Sequence, residues 1–143
     1  MKGAQALRNT VNDSKHLLPQ DTSQTVVLLV DDEVLVRNIC RIALEAEGYF
    51  ILTADDGEEA LVVSRRYPGM IHALVSDIKM PNMDGLQLRE TILVERPTIK
   101  VLLISGAVGR TLENIPFLQK PFDILTLKQR VRQLLSAAAG MAP

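Results

Sequence analysis

The chain has 143 residues, 47% of them hydrophobic, and 16 basic against 17 acidic side chains give a net charge of −1. This is the length of one domain with enough apolar content for a core; there is no global positive field for nucleic acid, and no apolar run nears the roughly 20 residues that cross a bilayer. The N-terminus lacks the apolar centre of a signal peptide, and the lone Cys40 excludes an intrachain disulfide, so a cytoplasmic protein without a membrane partner is expected.

Residues 1–24 are polar, carry Gly3, Asn12, Asp13, Pro19 and Ser23 without a sustained period, and read as a flexible tail. Thr25–Val30 is a continuous apolar run, the pattern of a strand buried on both faces, and Asp31-Asp32 closes it. Glu33–Glu47 has apolar residues at Leu35, Ile39, Ile42, Ala43 and Ala46, a helical period. Cys40 within it reads as a small buried hydrophobe, and Gly48 supplies a left-handed end. Tyr49–Thr53 is a second strand. Asp56-Gly57 turns into a helix near Glu58–Arg66, stopped by Pro68-Gly69, whose Glu58, Glu59, Arg65 and Arg66 read as an ordinary charged face. Ile71–Ser76 is a third strand, closed by Asp77. Asp84-Gly85 reads as a turn and helix start, and the helix Leu86–Glu95 ends before Pro97. Ile99–Ile104 and Ile115–Gln119 are the fourth and fifth strands, closed by Ser105 and Lys120. Asp123 caps a last helix with apolar residues at 124, 127, 131, 134 and 135. His16 and His72 have no second His or Cys at ligand spacing and receive no metal role.

This alternation predicts an α/β fold, a doubly wound layer on a parallel sheet. The domain is expected over 25–138, with 139–143 as a frayed end. In such a sheet the carboxyl ends of the strands share one edge, where ligands bind. Asp31, Asp32, Asp77, Ser105 and Lys120 all fall there. Three carboxylates, a hydroxyl and an ammonium suit a divalent cation and a phosphoryl group.

The motifs sharpen the chemistry. Val30-Asp31-Asp32-Glu33, Ser76-Asp77-Ile78-Lys79-Met80-Pro81-Asn82-Met83-Asp84-Gly85, Ile104-Ser105-Gly106 and Leu118-Gln119-Lys120-Pro121-Phe122 occur in that order. Together they resemble the receiver domain of bacterial two-component response regulators, over roughly Thr25–Ser136. The resemblance implies a flavodoxin-like, five-stranded parallel sheet of order 2-1-3-4-5 with helices on both faces. It implies Asp77 as phosphoacceptor, a carboxylate nucleophile that forms an acyl phosphate. It implies Mg²⁺ held by Asp32 and Asp77, by Asp31 largely through water, and by the backbone carbonyl of Lys79. Lys120 and Ser105 are then donors to the phosphoryl oxygens, and Ser105 and Phe117 a coupled switch. A cis Lys120-Pro121 bond is also implied, against base rates. The implied partners are a histidine kinase or phosphotransfer protein and an unspecified downstream protein, with no direct nucleic-acid binding.

One segment departs from the pattern. Only Gly106–Asn114 is left for the crossover between the fourth and fifth strands, and a parallel crossover with its helix usually takes at least ~10–12 residues. The family's fourth helix is therefore expected to be short or missing. The leading reading is a stand-alone receiver that catalyses only its own phosphorylation and dephosphorylation and is otherwise no enzyme. Alternatives are the receiver segment of a hybrid sensor kinase, a non-phosphorylated interaction module, and an aspartyl phosphatase. Lys79, where such a phosphatase wants an acid, weighs against the last. Capping of the first helix by Asp31 and Asp32 is the plain structural alternative for that pair.

Overall fold

The computed structural model describes residues 23–106 and 114–140. The expected tail (up to residue 22), the expected shortening of the fourth helix (107–113) and the end from residue 141 lie outside the described residues. Five strands are described: β1 (Val26–Val30), β2 (Phe50–Ala54), β3 (Ala73–Asp77), β4 (Lys100–Ser105) and β5 (Phe117–Gln119). They alternate with helices α1 (Val34–Glu45), α2 (Gly57–Arg66), α3 (Gly85–Glu95) and α4 (Ile124–Gly140). The strands pair in parallel in the order β2-β1-β3-β4-β5, as expected. Helix α4 continues to Gly140, past the expected frayed start at residue 139; Ala137, Ala138 and Ala139 are the strongest helix formers available.

All five residues of β1 are buried. Its side chains alternate between two cores, the period-two geometry of a strand covered on both faces. Val26, Leu28 and Val30 join Ala60 and Leu61 of α2 and Leu88 and Ile92 of α3. Val27 and Leu29 join Cys40 and Leu44 of α1 and Leu127, Val131 and Leu134 of α4.

The helix ends follow local chemistry. Asp56 Oδ1 accepts from Glu59 N at 2.8 Å, Asp123 Oδ1 from Thr126 N at 2.7 Å, and Asp84 with Gln87 forms a reciprocal capping box. Gly48 takes the expected left-handed conformation, with φ +96°. At the far end of α2, the Arg96 guanidinium donates to Ser64 Oγ and to the carbonyls of Ser64, Tyr67 and Gly69, at 2.7–2.9 Å. Arg65, read as part of a solvated face, makes a two-toothed contact with Glu95 of α3.

Helix α1 corrects the sequence expectation. Leu35, Ile39 and Ile42, which mark its period, are more than half exposed, as is Val34, and Ala46 is exposed too. The packed stripe is Cys40, Ala43 and Leu44. Two apolar stripes run along this helix, and periodicity alone does not say which one meets the sheet.

Candidate functional site

The strand register builds the site. Val30 stands opposite Ser76, Asp77 opposite Ile104, and Ser105 opposite Gln119. Asp31, Asp77, Ser105 and Lys120 therefore leave the sheet at nearly one level on its carboxyl edge. The ladder is prolonged by Asp31 N donating to Ala54 O at 3.2 Å, Ile78 N to Ile104 O at 2.9 Å and Lys120 N to Ser105 O at 2.9 Å. Asp31, Asp77 and Ser105 are at most 5% exposed. The Lys120-Pro121 bond is cis.

A cavity of about 1090 Å³ opens there, walled by Asp32, Glu33, Asp77, Lys79, Ser105 and Lys120 among others. Lys120 Nζ donates to Asp77 Oδ2 at 2.9 Å and lies 3.7 Å from Glu33 Oε1. Asp31, Glu33 and Asp77 each bring one carboxylate oxygen within 4.8 Å of the others. Asp32 lies exposed on the cavity wall, outside that trio. The Lys79 side chain is exposed. Phe117 is half-buried, opposite Leu103 in the register, and packs on the core that carries α2 and α3. The capping alternative for the Asp31-Asp32 pair does not account for Asp31. Glu33 is the N-cap of α1, no side chain caps there, and Asp31 Oδ1 instead accepts from Glu33 N at 2.8 Å.

Burial, chiefly, holds the Asp31 carboxyl above its ordinary range; the Asp77 charge adds to this, and the Glu33 N–H opposes it. Burial draws the Lys120 ammonium downward, but the Asp77 hydrogen bond and the charges of Asp77, Asp31 and Glu33 outweigh it, and the net shift is upward. Burial pushes the Cys40 thiol up to about 11, consistent with an inert core residue.

Three contributors were not legible as site residues. Glu33 adjoins the acidic pair, the one signal it carried. Arg37 donates to Asp31 O at 2.6 Å and pairs with Asp55 Oδ1 at 2.9 Å, tying the β1–α1 loop to the β2–α2 loop. Gly85 has a reason deeper than a turn: a Cβ there would press on the Asp77 carbonyl oxygen and lie 2.9 Å from Ile78 Cα. Only glycine lets the start of α3 sit against the end of β3. His72, given no metal role, accepts from Val26 N through Nδ1 at 3.0 Å, a structural use.

A family model for the response regulator receiver domain matches residues 27–132. The chain belongs to the response regulator receiver family. Among relatives of this receiver, the sensor kinase CckA of Brucella abortus is 36% identical over 121 residues, 80% of this chain and 13% of that protein. The probable transcriptional regulatory protein TcrX of Mycobacterium tuberculosis is 33% identical over 123 residues, 80% of this chain and 51% of that one. The receiver thus spans about half, or far less, of these relatives' lengths. The crystal structure of the receiver domain from the hybrid histidine kinase CckA is 41% identical, with a TM-score of 0.69 over 77% of this chain and 98% of that one. The chemotaxis response regulator CheY4 of Vibrio cholerae shares the receiver's fold, with a TM-score of 0.71 at 24% identity over 79% of this chain and 100% of that one. Among the described residues no helix is long and apolar enough to cross a membrane.

Proposed function

We propose that this receiver accepts a phosphoryl group from a histidine kinase, or from a phosphotransfer protein, onto Asp77. The supporting observation is the Lys120 ammonium 2.9 Å from the Asp77 carboxylate, in a cavity also lined by Asp32 and Glu33. A lone buried carboxylate would repel an anionic donor; one already paired with an ammonium is prepared for a phosphate beside it.

The donor set fits magnesium. It offers hard oxygen atoms, and the acids Asp31, Asp32, Glu33 and Asp77 outnumber the lysines Lys79 and Lys120 at the cavity. Asp31, Asp32, Asp77 and the Lys79 carbonyl would hold the ion, which when bound supplies positive charge to offset the acids and the phosphoryl oxygens. An Asp77 carboxylate oxygen forms the new bond to phosphorus as the P–N bond of the donor phosphohistidine breaks, and the imidazole nitrogen keeps the electron pair. Lys120 and Ser105 donate to the phosphoryl oxygens. That pull on Ser105, with repacking of half-buried Phe117, is the proposed switch that changes partner affinity. The apolar face of α1 beside the cavity suits the donor's docking. The protein works in the cytoplasm, and beyond its own phosphorylation and dephosphorylation it is not an enzyme. The Mg²⁺-dependent mass gain of one phosphoryl group from acetyl phosphate, lost in Asp77→Asn, is the test. No adduct on the wild type points to a non-phosphorylated module, and continuous turnover to a phosphatase.

The 41% identity to the CckA receiver supports a second reading, a receiver that works as part of a hybrid kinase. Onward transfer from Asp77 to a histidine phosphotransfer protein distinguishes it.

A further inference from the structure

We infer that Glu33 positions Lys120 at the mouth of the acidic cavity and gives it up to the phosphoryl group once Asp77 is modified. The inference rests on the phosphoacceptor role of Asp77 and adds a residue to it.

Glu33 stands at the N-cap of α1 with extended backbone, φ −89° and ψ 112°. This position favours Ser, Thr, Asp or Asn, whose short side chains accept a first-turn N–H. The Glu33 carboxylate makes no such bond. It reaches across the chain instead, to within 3.7 Å of Lys120 Nζ. Its stem is fixed from below, because its own N–H is bonded to Asp31 Oδ1 at 2.8 Å. A residue that leaves its helix uncapped and is tied to one acid of the site while facing the site's ammonium is placed for the site.

The ammonium is shared unequally. Its inner partner Asp77 is 2.9 Å away with a side chain 7% exposed; its outer partner Glu33 is farther and 63% exposed. Glu33 and Lys120 also both border a second, apolar cavity of about 680 Å³, between α1 and the segment Pro121–Ile124. The pair thus forms the partition between the acidic cavity and the apolar groove. A phosphoryl group on Asp77 replaces one carboxylate charge with roughly two on the phosphate, and adds strong acceptor oxygens. Against that, a solvent-screened carboxylate at 3.7 Å is the weaker competitor, and Lys120 turns inward.

The charge logic gives a signature. A carboxylate at the mouth attracts a cation and opposes an anion, so its removal moves the two affinities in opposite directions. The experiment measures, by calorimetry on the full chain, Mg²⁺ binding alone and beryllofluoride binding at saturating Mg²⁺; this anion stands in for a phosphoryl group on a carboxylate. In Glu33→Gln, Mg²⁺ affinity should fall by about two- to five-fold and beryllofluoride affinity rise by about the same factor, the range of an exposed ion pair. Both changes should shrink at high salt, and Glu33→Ala should repeat them. Unchanged affinities overturn the inference, as does a joint fall, which signals damage to the fold. A loss of Mg²⁺ affinity beyond about tenfold with no gain for the anion makes Glu33 a metal ligand instead, and also overturns it. If the wild type binds neither ligand, the phosphoacceptor role itself fails.

Discussion

Replacing Gly85 with alanine sets two effects of opposite sign against each other. Gly85 opens α3, and alanine in a helix is more stable than glycine by up to about 1 kcal/mol. Propensity alone therefore predicts a gain. Against it, a Cβ built on Gly85 lies 2.9 Å from Ile78 Cα, 3.1 Å from the Asp77 carbonyl carbon, and closer still to the Asp77 carbonyl oxygen. All three atoms are backbone, so no side chain can swing away. They are held by Gly85 N donating to Ile78 O at 2.7 Å and by Ser76 Oγ donating to Asp77 O at 2.8 Å. Forcing a methyl into a filled space costs about 1–3 kcal/mol, and rigid neighbours favour the upper part of that range. The net expectation for Gly85→Ala is a loss of about 1–2 kcal/mol, or roughly 4 °C in Tm for each kcal/mol lost. Thermal melting followed by circular dichroism, with urea unfolding alongside, reads it. Gly106→Ala is the control: among the described residues its Cβ would meet only Lys120 Cβ, at an ordinary 3.7 Å. A Tm for Gly85→Ala above that of the wild type would refute the close-approach reasoning.

Three further outcomes are expected. Leu35→Asp and Ile39→Asp, on the exposed stripe of α1, should change stability by no more than about 0.5 kcal/mol yet slow phosphotransfer from a cognate kinase, whereas fully buried Leu44→Ala should cost about 2–5 kcal/mol in urea unfolding. Burial raises the Asp31 pKa in the folded state, so its charge destabilises the fold increasingly as pH rises from the ordinary value of 3.8 through the raised one; Asp31→Asn should therefore raise Tm at pH 7 in the absence of Mg²⁺, and the advantage should fade toward pH 3.8. Arg96→Ala should lose about 1.5–3 kcal/mol by stripping a charged donor from three carbonyls and Ser64 Oγ, and Arg96→Lys should recover only part of it, since an ammonium lacks the planar fork.

What the sequence disclosed follows from how local each cause is. Val26–Val30 declared a doubly covered strand because every residue in it is apolar, and the acids after β1 and at the end of β3 declared the edge because parallel strands end together. Gly48, Asp56, Asp84 and Asp123 declared helix ends through bonds to residues a few positions away. Strand limits shifted by one or two residues: Asp77 and Ser105 proved to be the last residues of their strands, since hydrogen bonding continues as far as a neighbouring strand provides partners. The packed face of α1 was hidden because Val34, Leu35, Val36, Ile39 and Ile42 wrap most of the helix, and only the position of the sheet and α4 selects Cys40, Ala43 and Leu44. Arg37 and Arg96 were hidden because their partners are set by where loops meet. The direction in which Glu33 points is likewise no property of a motif.

Strand β5 has three residues and one neighbour, whereas β1 and β3, which deliver the acids, have five each and a neighbour on both sides. The anionic half of the edge is rooted in the middle of the sheet, and the cationic half hangs from its margin. Peeling β5 away therefore breaks a single ladder and displaces Lys120 together with Phe117 while Asp31 and Asp77 keep their places. Amide exchange should register this as earlier loss of protection in Phe117–Gln119 than in Val26–Val30.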